Sequence, residues 1–115
     1  MSKEQLYIFD TTLRDGAQTQ GVDFSIDDKE KISSALDKLG VDYVEGGWPG
    51  ANPTDTEFFN KDHNFKSTKL TAFGMTKKSE HSAENDPMLS SLINSKSTSV
   101  CLFGKSWDFQ VDVAL

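Results

Sequence analysis

The chain has 115 residues, enough for one domain around one core, and a net charge of −6 from 18 acidic and 12 basic residues. With no basic run and no basic stripe interleaved with aromatics, a nucleic-acid partner is excluded. No stretch approaches the roughly 20 apolar residues that span a bilayer, and Met1-Ser2-Lys3-Glu4-Gln5 lacks an apolar signal core, so no membrane partner and a cytoplasmic location are expected.

The first element is predicted at residues 6–9, Leu6-Tyr7-Ile8-Phe9, a short apolar run that reads as a buried strand. A polar loop follows, and Ser25-Ile26-Asp27-Asp28 forms a capping-box-like start for a helix. Ile32, Ala35, Leu36 and Leu39 trace its inner face, and Gly40 stops it. A second strand is predicted at 41–45, with a loop from Gly46 to Asp55. Asn52-Pro53 is an N-cap followed by proline at the first helical position, and Phe58 and Phe59 anchor the short helix that results. A third strand at 70–76 leads to a polar loop, and Asp86-Pro87 opens a helix inward-facing at Met88, Leu89, Leu92 and Ile93. A fourth strand begins at Val100, and 111–115 reads as a helix just beginning. Strand starts recur at about 28 to 35 residues, the length of one βα unit. No internal repeat and no linker interrupts the chain, so residues 1–115 form one α/β unit.

Chemistry concentrates in Asp10-Thr11-Thr12-Leu13-Arg14-Asp15-Gly16-Ala17-Gln18, directly after the first strand. Side chains at the mouth of a parallel strand are held rigidly yet face solvent, which is where α/β active sites are built. Asp15 offers a hard carboxylate oxygen for Mg²⁺ or Mn²⁺, or for a borderline ion such as Zn²⁺ shared with imidazoles. Arg14 carries a permanent charge and a planar fork of donors, suited to a 2-oxo acid and to an oxygen gaining negative charge. Gly16 permits a sharp turn. Gln18 can orient a substrate carboxylate or fix the arginine. The competing reading is an exposed Arg14–Asp15 ion pair in a tight turn. Glu45, at the end of the second strand, is the other polar group expected to face the site; its competing reading is a carboxylate satisfied in a structural bridge.

The nine-residue string closely resembles the signature of the pyruvate carboxyltransferase-like acyl-CoA-dependent synthases and lyases. This group includes 2-isopropylmalate, homocitrate and citramalate synthases and hydroxymethylglutaryl-CoA lyase. Glu45-Gly46-Gly47-Trp48-Pro49-Gly50-Ala51-Asn52-Pro53-Thr54-Asp55 resembles the citramalate synthase branch. So do Leu70-Thr71-Ala72-Phe73-Gly74-Met75-Thr76 and Val100-Cys101-Leu102-Phe103-Gly104-Lys105-Ser106-Trp107-Asp108. The resemblance implies a fold, the N-terminal half of a (β/α)8 TIM barrel of about four βα units, since a whole barrel needs roughly 250 residues. It implies condensation of acetyl-CoA with a 2-oxo acid, pyruvate in the citramalate branch, on the route to isoleucine. It also implies a divalent metal with Asp15 as one ligand, Arg14 and Glu45 as catalytic groups, Arg14 and Gln18 as substrate-binding groups, and a homodimeric parent. In that family the other metal ligands are a His-x-His pair on a later strand, and the general base lies further on. A larger 2-oxo acid (2-isopropylmalate synthase), a lyase of the same fold and a non-catalytic half-barrel are the alternatives.

The remaining candidates carry less. His63 and His81 belong to no His-x-His pair and fall in polar, solvent-facing surroundings. Gly104-Lys105-Ser106 lacks the glycine, replaced by Ser99, that a phosphate-binding loop needs. Lys77-Lys78 could meet a coenzyme A phosphate but reads first as solvated surface. Cys101, the single cysteine, sits in an apolar strand pattern and reads as a buried, inert thiol. A half barrel would leave its first and fourth strands unpaired at the edges, so a dimer or an aggregate is expected of this chain in isolation.

Overall fold

The computed structural model describes residues 3–115; Met1 and Ser2 of the polar N-terminal stretch lie outside the described residues. Four parallel strands, β1 (Phe9–Asp10), β2 (Tyr43–Gly47), β3 (Lys69–Met75) and β4 (Ser99–Phe103), lie side by side in chain order. They alternate with α1 (Ile26–Leu39), α2 (Pro53–Asn60), α3 (Pro87–Asn94) and α4 (Asp108–Ala114). The architecture is the alternating α/β unit expected from the spacing and the half-barrel that the resemblance implies.

Local chemistry sets the helix starts. Ser25 Oγ accepts from the Asp28 amide while the Asp28 carboxylate accepts from the Ser25 amide, a complete capping box. Gly40 closes α1 in the left-handed region, with φ 92°. Asn52 caps α2 through the Asp55 amide, and Asp86 caps α3 through the amides of Met88 and Leu89. Proline stands at the start of both helices, where its missing N–H costs nothing.

The core lies between the sheet and one layer of helices. Val44, Leu70 and Ala72 meet Phe58 and Phe59 of α2 and Leu92 of α3, with Leu13 and Val41 closing the ends. Strand alternation then places Tyr43, Glu45, Thr71, Phe73, Ser99 and Cys101 on the opposite face. Gly46 faces the helices because its α-carbon abuts Phe58; a Cβ there would come within 2.8 Å of that ring.

Four expectations need correction. Leu6, Tyr7, Ile8 and Phe9 are exposed, not buried, and the regular strand is only Phe9–Asp10. This is an edge segment: Ile8 hydrogen-bonds through its carbonyl to the amides of Asp42 and Tyr43, and β1 is bonded to β2 alone. On α1, Ala35 and Leu39 are exposed, and the inward stripe runs through Lys29, Ile32, Ser33 and Leu36. The helix is rotated toward Lys29 because that ammonium finds buried acceptors. On α3, Ile93 is 81 % exposed while Leu92 fills the core. The second strand also runs two residues further than expected, through Gly47, with a register shift against β3 between Glu45 and Gly47.

Two aspartates tie helices to loops. Asp37 of α1 accepts from the amides of Lys66, Ser67 and Thr68, and these donors hold its carboxyl at about 2. Asp86 is likewise held at about 2, first by the Lys78 amide and then by those of Leu89 and Met88. Because the folded carboxylates bind protons less tightly than the unfolded chain, the stability they supply is complete above the ordinary value of 3.8. It is lost as pH falls through about 2. Thermal melts by circular dichroism should therefore show a melting temperature insensitive to these groups near neutrality and falling across that acid window. Asp37→Asn should lower the neutral-pH melting temperature and flatten the acid slope; an unchanged slope would show that Asp37 is not linked to folding.

Candidate active site

The turn after β1 is wound on one carbonyl. Thr11 O accepts from the amides of Arg14, Asp15 and Gly16, at 3.3, 2.8 and 3.1 Å, and a 3₁₀ turn over Gly16–Gln18 follows. Asp10 fixes the entrance, accepting from the Thr12 amide and hydroxyl, so both of its carboxylate oxygens are engaged. Leu13 is fully buried and anchors the turn to the core. The two residues either side of that anchor, Thr12 and Arg14, are thereby turned away from it.

Arg14 swings over the sheet. Its Nε donates to Glu45 Oε1 at 2.5 Å, and its guanidinium carbon lies 4.2 Å from the centre of the Phe73 ring. Glu45 is only 1 % exposed. Phe73 is in turn met edge-on by Trp48, ring centres 5.2 Å apart. Among the described residues the terminal guanidinium nitrogens of Arg14 have no protein acceptor, so they remain available to an anion. Arg14 and Gln18 line a cleft of about 330 Å³ with Phe24, Lys29, Trp48 and Asp55.

The pairing decides between the alternatives for the loop. Arg14 bonds Glu45, not Asp15, and Gln18 does not hold the arginine. Glu45 is at once satisfied by the arginine and placed in β2 two residues before its end, facing the same side as Phe73. Asp15 is separate: it is exposed and lines an open depression with Asp10, Thr11, Thr12 and Thr19.

Beneath the pair lies a feature that the sequence did not reveal. Lys29 of α1 is 2 % exposed, and its ammonium donates to Leu13 O at 2.9 Å and Gly46 O at 2.7 Å while pairing with Asp55 Oδ1 at 2.7 Å. Asp55 Oδ2 accepts from the Trp48 amide and the Asn52 side chain. Gly47, at φ 147°, passes so close that a Cβ would lie 2.5 Å from the Asp55 carboxyl carbon. Lys29 is one of three lysines in α1, and nothing in the sequence alone sets it apart from Lys31 and Lys38.

The other candidates fall into place with two corrections. His63 is not solvent-facing: it is half-buried between Phe58 and Phe65, with Nε2 2.7 Å from Phe58 O. His81 Nδ1 lies 3.5 Å from the capping Asp86. Lys77, Lys78 and Lys105 border a second cavity of about 470 Å³ beyond Trp48. Cys101 is only partly buried and lies beside Glu45 on the site-facing side of the sheet. Among the described residues no three His, Cys, Asp or Glu side chains group as a metal site, and no helix is long and apolar enough to cross a membrane.

A parallel sheet with a preformed ion pair and an open cleft at its C-terminal strand ends is the arrangement of an α/β-barrel enzyme. The HMGL-like family matches residues 5–86, and the chain belongs to that family. It is 52 % identical over 114 residues to an (R)-citramalate synthase of Aquifex aeolicus, covering 97 % of this chain and 22 % of that protein. It is 48 % identical over 113 residues to an (R)-citramalate synthase of Sulfolobus acidocaldarius, covering 96 % of this chain and 22 % of that protein. A 2-isopropylmalate synthase of Microcystis aeruginosa matches at 48 % over 60 residues, which is 52 % of this chain and 11 % of that protein. The chain thus spans about one fifth of the length of the curated citramalate synthases it matches.

Burial pushes the Cys101 thiol up, and the Glu45 carboxylate adds to it while Arg14 opposes. Iodoacetamide should therefore alkylate Cys101 more slowly near neutral pH than it alkylates the same thiol in denaturant. Glu45→Gln should raise the folded-state rate, as followed by mass spectrometry. A rate equal to that of the denatured chain would show the thiol to be free of both influences.

Proposed function

We propose that this chain is the N-terminal part of an acyltransferase that condenses acetyl-CoA with pyruvate to give (R)-citramalate, serving isoleucine biosynthesis in the cytoplasm. The observation that carries this reading is the similarity to (R)-citramalate synthases over nearly the whole chain, from residues of the first loop through β4. Similarity to 2-isopropylmalate synthases covers about half of it.

In this reading Arg14 does the electrostatic work. Glu45 and Phe73 fix its Nε and its plane, leaving the terminal nitrogens to grip a 2-oxo acid and to stabilise the keto oxygen as it gains charge. Gln18, across the same cleft, orients the substrate carboxylate. The low exposure of Glu45 keeps water from competing for the arginine.

Asp15 fits a divalent ion as a single ligand only. Its carboxylate is exposed, whereas the oxygens of neighbouring Asp10 are engaged by Thr12. An ion bound with further ligands from elsewhere in the parent would polarise the keto group. The parent is read as a homodimer, as its family resemblance implies.

The test uses the full-length protein carrying this sequence, assayed for free coenzyme A release with pyruvate and with a branched 2-oxo acid. Pyruvate should be the better substrate; preference for the branched acid would make the protein a 2-isopropylmalate synthase. Arg14→Lys should lower turnover on the order of 10²-fold or more, with a smaller rise in KM, because lysine keeps the charge but loses the planar grip. Asp15→Asn should raise the metal concentration needed for half-maximal activity. Unchanged turnover in the first, or an unchanged metal requirement in the second, would remove that residue from its role.

A further inference from the structure

We propose that Lys29 is the positioning residue of this site, holding Arg14 and Glu45 in register through the backbone rather than touching substrate. Leu13 immediately precedes Arg14 and Gly46 immediately follows Glu45, and one ammonium binds the carbonyls of both. Its third donor is taken by Asp55, so all three N–H groups are spent inside the protein although Lys29 borders the same cleft as Arg14. A lysine saturated in this way cannot bind a substrate anion. It can set the distance between two strand ends that are not regular at this point: the pairing of β2 with β3 shifts register at Glu45–Gly47, so the sheet ladder alone does not hold Gly46 O. The partner is held as firmly. Asp55 is fixed by the Trp48 amide and by Asn52, its own helix cap, which links the ammonium to the start of α2.

This inference rests on the reading of Arg14 and Glu45 as the reacting pair, but its test does not need activity. Arg14 is the single arginine of these 115 residues, and in the full-length protein its Nε–H is identified as the ¹⁵N resonance that Arg14→Lys removes. In the unmodified chain that proton, bonded to Glu45, should exchange slowly with water. Lys29→Met should speed its exchange by about tenfold or more, and so should the double variant Lys29→Met/Asp55→Asn, which leaves no buried charge unpaired. Leu92→Ala, which opens the core on the far side of the sheet, serves as the control; compared at equal global stability, it should leave the exchange rate within about twofold. The proposal is overturned if exchange is unchanged in the lysine variants, or if Leu92→Ala loosens the proton equally. It is also overturned if neither lysine variant folds, since Lys29 would then act on folding alone. Fast exchange in the unmodified chain would remove the Arg14–Glu45 bond itself and the proposal with it. Failure of citramalate formation in the full-length protein, with the exchange pattern intact, would instead defeat only the functional reading.

Discussion

The structure depends on one buried positive charge. An ammonium withdrawn from water is tolerated only when its donors are satisfied and its charge is matched, and leaving either member of a buried pair alone costs about 3–5 kcal/mol. Lys29 meets both conditions by drawing together the loop after β1, the end of β2 and the first turn of α2. The same demand explains the rotation of α1: turning Ala35 and Leu39 to solvent loses apolar burial, but turning Lys29 outward would take the ammonium away from Asp55 Oδ1 and from the Leu13 and Gly46 carbonyls. Polar satisfaction decides the orientation where hydrophobic periodicity alone would have placed it slightly differently.

The division of labour between the two sheet faces follows from the same geometry. The helix face is filled by Phe58, Phe59, Leu70 and Leu92, packed tightly enough that Gly46 has no room for a side chain. The other face carries groups that a core would exclude, among them Glu45, Thr71 and Cys101, with Thr71 and Ser99 hydroxyls bonded to each other. Glycine at 46 and 47 is what joins the two requirements. One lets the phenyl rings reach the strand, and the other lets the chain bend back against Asp55, so that Glu45 leaves the strand at a fixed angle.

What the sequence made legible was local or carried by a long motif. A capping box, an asparagine followed by proline and a glycine stop are each complete within a few residues, and each is found where it was expected. The nine-residue loop was legible because so many polar side chains after a strand have no use in a core. Burial was harder to read because it belongs to neighbours. Leu6 to Phe9 have the composition of an interior strand and lie at an edge; His63 has polar neighbours in sequence and aromatic ones in space. Cys101 follows an apolar pattern but alternates onto the face that carries Glu45. Lys29 was missed for the same reason: its three acceptors lie 16, 17 and 26 residues away, and no pattern within a helix announces them.

Those long-range bonds also bear on how the site is assembled. Every contact that sets the Arg14–Glu45 pair comes from the loop after β1, from α1, from β2 and its loop, or from Phe73 on β3. Of β4 and α4 only Cys101 lies beside the pair, and Val100, Leu102, Phe103, Phe109 and Val113 are exposed. On the face bearing Glu45 the side chains of β2 and β3 are themselves buried, Glu45 to 1 % and Phe73 to 9 % exposure, with Arg14 and Trp48 packed against Phe73. The anion grip is therefore formed from both sides of the sheet, by Lys29 on the helix side and by Glu45 and Phe73 beside the arginine. Whatever covers that face can add ligands or a base, but the direction in which Arg14 points is already determined by a lysine beneath it and a phenyl ring beside it.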